Sequence, residues 1–182
     1  MQEVAKIQEK YDKPDIDTFL NEVHDSTVAK HLHYTHVNTE KHGFDARRKS
    51  AHSGCDSDFL EVKAASFGAK SLQATFNDTN LEKAALFQQK NVYLALSVWC
   101  AAADLLFIAY GQNEAIGRFL EEKVKWFKAG NTVRSTQSIT LSDLVRKYGF
   151  KIYAISKSPD EIYELLQERN GYRKYRVKQL WI

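Results

Sequence analysis

The residues of this chain best placed to do chemistry are Glu61-Val62-Lys63, with Asp45 upstream. Residues two apart on a strand point to one face, so Glu61 and Lys63 stand together while Val62 faces the core. A carboxylate at a strand end, joined by another from the approach to that strand, suits a hard divalent cation with open coordination positions. A lysine beside them polarises or orients a water. That grouping is what phosphodiester hydrolysis needs: a metal for the charge developing on phosphate, and a positioned nucleophile. The tripeptide alone is not specific: 23 acids and 18 lysines in 182 positions give roughly two acid-x-Lys matches by chance. The chain contains two, and context separates them. Glu121 and Lys123 fall on the polar face of an amphipathic helix, where charges are solvated. Glu61 and Lys63 fall on a strand, with an acid before it and an apolar hairpin after it.

The elements that must position these residues are legible in outline. Pro14 and Pro159, the only prolines, each precede a helical pattern. Asp15 is placed to cap a helix carrying Ile16, Phe19, Leu20 and Val23. A polar stretch, His31 to Ser57, has few apolar anchors. Asp58 to Ser66 reads as a strand and Ser71 to Phe76 as a second, with Asn77 to Asn80 capping a helix over Leu81 to Gln89. Asn91 to Cys100 and Asp104 to Tyr110 read as a hairpin in the sheet interior. Ile116, Phe119, Leu120, Val124 and Phe127 share one helical face. Ala129 to Ser138 is a polar loop or ribbon, Ser142 caps a short helix to Tyr148, and Gly149 closes it. Phe150 to Ile155 is a strand, and a last helix runs from Pro159 to about Arg169. This order implies a mixed α/β sandwich.

Composition bounds the function. Hydrophobic residues are 43% and aromatic residues 12%, enough for an ordinary core, while 26 basic against 23 acidic residues give +3. From Arg146 to Ile182, nine basic residues face four acids, so this segment carries +5 and the rest −2. Its end, Gly171-Tyr-Arg-Lys-Tyr-Arg-Val-Lys, suits either a phosphate backbone or a solvated tail. Two cysteines, Cys55 and Cys100, make no disulfide framework. With no apolar leader and no apolar run long enough for a membrane, a soluble intracellular protein is expected. Dinucleotide, P-loop, nucleophile-elbow and Cys-x-x-Cys motifs are absent. The six histidines all fall in the first 52 residues; His31-x-His33-x-x-His36 lacks cysteines placed to complete a zinc site, so surface or loop positions are expected. Trp99 and Trp126 are expected in the core.

Phe44-Asp45-Ala46, followed after a polar gap by Glu61-Val62-Lys63, resembles the acidic-x(n)-acidic-x-Lys core of restriction-endonuclease-like, PD-(D/E)xK nucleases. The likeness extends towards the PvuII-like type II restriction endonucleases: the polar strand Lys70 to Asn77, the hairpin, Glu122-Lys-Val-Lys-Trp126, the segment Asn131 to Ser138 and Tyr148 to Ala154 follow in the same order. It covers roughly residues 16 to 155, by element order more than by identity. It implies an α/β, restriction-endonuclease-like mixed β-sheet flanked by helices. One nuclease domain would then span 1–182: an N-terminal helical dimerisation region (1–35), a catalytic and recognition core (40–155), and a C-terminal helix with a basic tail (156–182). Asp45 and Glu61 would hold Mg²⁺ with the Val62 carbonyl, and Lys63 would orient the attacking water. Asp56 and Asp58 compete with Asp45 for the first acidic role. Glu40 is either an auxiliary ligand or a surface acid, and His42 a surface residue or a DNA contact.

Recognition in such a fold falls to the polar strand and the later loop. Gln73, Thr75 and Asn77 alternate and so face one way; Gln and Asn read adenine bidentately in the major groove. Arg134 is the candidate for guanine, with Gln137 beside it. Lys70, Arg47 and Arg48 suit phosphates, which position the duplex without reading it. The resemblance thus implies a Mg²⁺-dependent, cytoplasmic, homodimeric type II restriction endonuclease acting on a palindromic site in double-stranded DNA, with a cognate methyltransferase as a possible companion. Two alternatives predict other behaviour. A structure-specific or repair nuclease of the same fold cuts regardless of sequence, and a non-catalytic nucleic-acid-binding module binds without cutting.

Overall fold

The computed structural model describes residues 16–37, 44–50, 56–77, 79–128, 136–169 and 175–180. Helix α1 (Ile16–His31) is followed by β1 (Thr35–His36), β2 (Ala46–Lys49), β3 (Ser57–Ser66) and β4 (Gln73–Phe76). Then come α2 (Leu81–Phe87), β5 (Val92–Ala101), β6 (Asp104–Gln112), α3 (Glu114–Lys128), β7 (Gln137–Thr140), α4 (Leu141–Arg146), β8 (Lys151–Ala154), α5 (Pro159–Glu168) and β9 (Val177–Gln179). Seven strands form one mixed sheet in the order β1-β2-β3-β5-β6-β8-β9, and β4 and β7 form a separate ribbon. Within the sheet β3 and β5 run parallel, as do β8 and β9; the other neighbours are antiparallel. The architecture is α/β, with helices on both faces of the sheet.

Two cores follow from the alternation along the strands. Leu94, Leu96, Phe107 and Ile152 point to the face covered by α2, α3, α4, α5 and the ribbon, where Phe76, Phe87, Leu120 and Leu166 close a large apolar cluster. Leu60, Val62, Ala95 and Ile108 point to the other face, against Val28, Ala29 and Leu32 of α1. The β5–β6 hairpin sits at the centre of the sheet, as its unbroken apolar character requires. Among the described residues no helix is long and apolar enough to cross a membrane.

The helix starts explain themselves. Asn80 caps α2 through Lys83 N–H, at 2.7 Å. Ser158 and Glu161 form a reciprocal capping box at α5, with Pro159 in the first turn. At α4 the cap is Thr140, which accepts from Asp143 N–H at 3.1 Å, so the expected Ser142 cap is displaced by one two residues earlier. Gly149, at φ 72°, then lets the chain reverse into β8. Helix α1 reaches His31, and the polar stretch after it, to which no element was assigned from the sequence, contains β1 and β2. Trp126 is 50% exposed near the end of α3, not in the core; Trp99, 4% exposed, is buried as expected.

Gly117 is where α2 and α3 meet. A Cβ there would lie 2.7 Å from the backbone N of Gln88 and the carbonyl carbon of Phe87. Neither atom can swing aside, so Gly117→Ala should destabilise the fold by about 2 kcal/mol despite alanine's better helix propensity. The expected thermal midpoint is roughly 4–8 °C lower by calorimetry; an unchanged midpoint would contradict this packing.

Candidate active site

The acidic site forms where β2 stops pairing with β3. β2 pairs with residues 57–60 of β3 alone, so from Glu61 onward that edge of β3 has no strand partner among the described residues. Leu60 accepts from Asp45 N–H at 3.0 Å on this edge. Strand alternation then turns the Val62 peptide the same way. Its N–H donates to Asp45 Oδ2 at 2.6 Å, and its carbonyl opens on the same side. The side chains of Glu61 and Lys63 share the opposite register and meet, Nζ to Oε1, at 2.6 Å. Glu61 is nearly enclosed at 7% side-chain exposure and Lys63 stands at 23%. Glu61 and Lys63, two residues apart on β3, are therefore joined at one open strand edge by Asp45 from sixteen residues upstream.

Their electrostatics are those of crowded, poorly solvated charges. Burial and the neighbouring Glu61 charge push Asp45 up to about 7, against the lowering pull of Lys63 and the Val62 N–H. Burial alone would lower Lys63, but the Glu61, Asp45 and Asp25 carboxylates outweigh it and hold the ammonium above its ordinary range. Asp25 completes the cluster from α1: burial and then the Asp45 charge push it up to about 8, with Glu22 and Glu61 adding and Lys63 opposing. Glu22, three residues before Asp25 on the same helix, also pairs with His36 Nε2 at 3.3 Å. Neither Glu22 nor Asp25 was marked out by the sequence, because no local spacing ties a helix to a strand pair that follows much later.

The competing first acids separate cleanly. Asp58 lies on the opposite register of β3 from Glu61 and is 1% exposed. It accepts from Ser50 Oγ at 2.6 Å and from Arg48 Nε at 3.3 Å. Asp56 is exposed at the start of the strand. Asp45 is the acid that shares the site with Glu61 and Lys63. Glu40 and His42 lie outside the described residues.

The expected DNA-contacting residues fall into three groups. Gln73, Thr75 and Asn77 do alternate along the ribbon, while Ala74 and Phe76 are buried. Thr75 Oγ1 meets Ser138 Oγ at 3.1 Å, and Thr136 Oγ1 donates to Asn77 Oδ1 at 3.4 Å. Gln137 stands opposite Phe76 in the ladder, and the Lys63 ammonium lies 5.8 Å from the centroid of that Phe76 ring, so the ribbon begins beside the acidic site. Lys70 and Arg47 are exposed. Arg48 is instead drawn into the second core: its guanidinium lies 4.4 Å over the Tyr34 ring and pairs with Asp58. Arg134 lies outside the described residues, as does Cys55.

The histidines are not all loose surface groups. His24 on α1 stacks on Trp99, with ring centroids 3.9 Å apart, and its Nε2 lies 3.0 Å from the Ala102 carbonyl. Burial lowers its pKa. Among the described residues no group of three or more His, Cys, Asp or Glu side chains is placed to hold a metal ion; the oxygen donors along the β3 edge are the Asp45 and Glu61 carboxylates and the Val62 carbonyl. Comparison with known proteins yields no assignment, since neither a protein-family model nor a curated protein matches the chain.

Proposed function

We propose that the chain is a Mg²⁺-dependent deoxyribonuclease, a type II restriction endonuclease of the PD-(D/E)xK kind that cuts double-stranded DNA at a specific, palindromic sequence. The observation that carries this reading is two neighbouring 2.6 Å contacts at an open strand edge, the Val62 N–H on Asp45 and the Lys63 ammonium on Glu61, with the Asp45 and Glu61 charges close enough to act on one another. The donor set fits a hard cation: buried carboxylates that raise one another's proton affinity gain from a divalent charge between them, and all the donors are oxygens. Asp45 and Glu61, with the Val62 carbonyl, would hold Mg²⁺, which supplies Lewis acidity and charge neutralisation at phosphate.

The chain's own residues do the rest. Lys63 Nζ, released from Glu61 when that carboxylate is otherwise engaged, donates a hydrogen bond that fixes and polarises a water for in-line attack. Ribbon residues Gln73, Thr75 and Asn77 face the duplex beside the site, and exposed Lys70 and Arg47 bind phosphates. A homodimer about a two-fold axis matches a palindrome and its two cuts. A cytoplasmic protein with a companion methyltransferase completes that picture.

The test is digestion of a long plasmid or phage DNA by the purified protein, in Mg²⁺ and in EDTA, beside Glu61→Ala. Discrete, Mg²⁺-dependent bands that vanish in the variant are expected, with a rate loss of roughly a thousandfold or more. A smear would move the reading to a structure-directed nuclease. Absence of cutting on several unmodified DNAs, with DNA still bound, would leave a non-catalytic binding module.

A further inference from the structure

Part of the basic, tyrosine-bearing end of the chain is built into the sheet. Val177–Gln179 form the end strand β9, which pairs in parallel with β8. Tyr175 and Val177 turn inward to the first core, so alternation turns Arg176 and Lys178 to the opposite face. β8 divides in the same way: Ile152 and Ala154 belong to the first core, and Lys151 and Tyr153 stand on the other side. The register sets these groups in two rows across neighbouring strands, Tyr110 beside Lys151 and Tyr153 beside Lys178. Tyr93 stacks on Tyr110, with ring centroids 5.4 Å apart, and extends the aromatic side of the patch.

The charge on this face is of one sign. Lys151, Arg176 and Lys178 are exposed, and none of them has an ion-pair partner among the described residues. β8 and β9 hold no acid. Helix α5, which carries four acids, packs on the other face through Ile162 and Leu166. Asp58, whose charge reaches Tyr93, is buried and paired with Arg48. Helix α1 lies across β1, β2, β3 and β5. The Tyr153 ring is partly exposed among the cations and makes no hydrogen bond or ring contact with another described residue.

Cations in rows without counter-charges suit a polyanion, and an accessible π-face among them suits bases that are not already stacked in a duplex. We propose that this sheet face binds a single strand of nucleic acid, with phosphates on Lys151, Arg176 and Lys178 and a base stacked on Tyr153. Sheet surfaces bearing exposed aromatic rings hold roughly two or three bases in this way. Lys63 points to the other face, towards Phe76, so this is a second surface, and it stands independently of the nuclease reading.

Fluorescence anisotropy with a labelled ten-nucleotide single strand tests this on the full chain, in EDTA, where the metal-free acidic site repels phosphate. Lys151→Gln, Arg176→Gln and Lys178→Gln together should weaken binding at least about tenfold at low salt, with an unchanged melting temperature. They should also lower the salt slope by about two, since each single-strand phosphate contact contributes about 0.7. Tyr153→Leu should weaken binding about tenfold with the slope kept, and Tyr153→Phe should bind like the original chain. An abasic strand of equal length should bind the original chain about tenfold more weakly than the base-bearing strand. Should Tyr153→Leu fail to fold, that abasic comparison still decides. No binding of the strand, indifference to the triple substitution, or equal binding of the abasic strand would each overturn the proposal. So would a blunt duplex competing as well as the single strand, which points to phosphates alone, or polyglutamate doing so, which points to an acidic protein. Cleavage by the chain, present or absent, leaves these outcomes unchanged.

Discussion

Lys63→Ala should lower DNA cleavage by roughly a thousandfold or more while leaving duplex binding within a few-fold of the original chain. The ammonium is the only cation within hydrogen-bonding distance of Glu61 among the described contacts, and no neighbouring lysine shares its register on β3. Cleavage therefore loses both the group that orients the water and a positive charge beside phosphate. Binding depends on groups elsewhere, the exposed Lys70 and Arg47 and the ribbon, so its salt dependence should barely change. Lys63→Arg should not rescue, because a forked guanidinium cannot occupy the compact position of Nζ between Glu61 and the Phe76 ring. Single-turnover cleavage and fluorescence anisotropy separate the two effects. Undiminished cleavage by Lys63→Ala would remove the lysine from the mechanism, and equal loss of binding and cleavage would reassign it to DNA contact.

That Lys63 could be singled out at all reflects what a sequence encodes locally. Glu61 and Lys63 are two residues apart on a strand whose apolar partners mark it as a strand, so a shared face follows from pleat geometry alone. The β5–β6 hairpin, α2 with its Asn80 cap and the helix α5 after Pro159 were legible for the same reason: their signals lie within a few residues of the element. The rest depends on contacts between segments distant in the chain. β1 and β2 are two and four residues long and polar, with β1 the edge strand and β2 next to it, so they carry no apolar period to read. Arg48 suited a phosphate until Asp58, 1% exposed, and the Tyr34 ring claimed it. Trp126 shows the converse, a large aromatic left half in solvent at the end of α3. Asp25 is the most consequential omission, since its place in the acidic cluster depends on how α1 lies across the strand edge.

Asp25 supports the second large effect. Its carboxyl is raised to about 8 and that of Asp45 to about 7, both above their ordinary values near 3.8. A carboxyl with a raised folded-state pKa binds its proton more tightly folded than unfolded. Its stabilising contribution is then complete below about pH 4 and lost as pH rises through 7 to 8. The metal-free protein should accordingly melt at a lower temperature at pH 9 than at pH 6. Asp25→Asn removes one charge from the cluster and should raise the metal-free melting temperature at pH 9 by about 2–8 °C, corresponding to about 1–2 kcal/mol, with little effect at pH 5. Mg²⁺ should act in the same direction on the original chain, and its binding should release protons, because the carboxyls must ionise to ligate. Calorimetric titration of Mg²⁺ in two buffers of different ionisation enthalpy at pH 7 reads that release directly. A melting temperature flat from pH 6 to 9, or Mg²⁺ binding with no proton release, would mean that these acids are already ionised and well solvated, and the crowded acidic site would no longer account for affinity for a divalent cation.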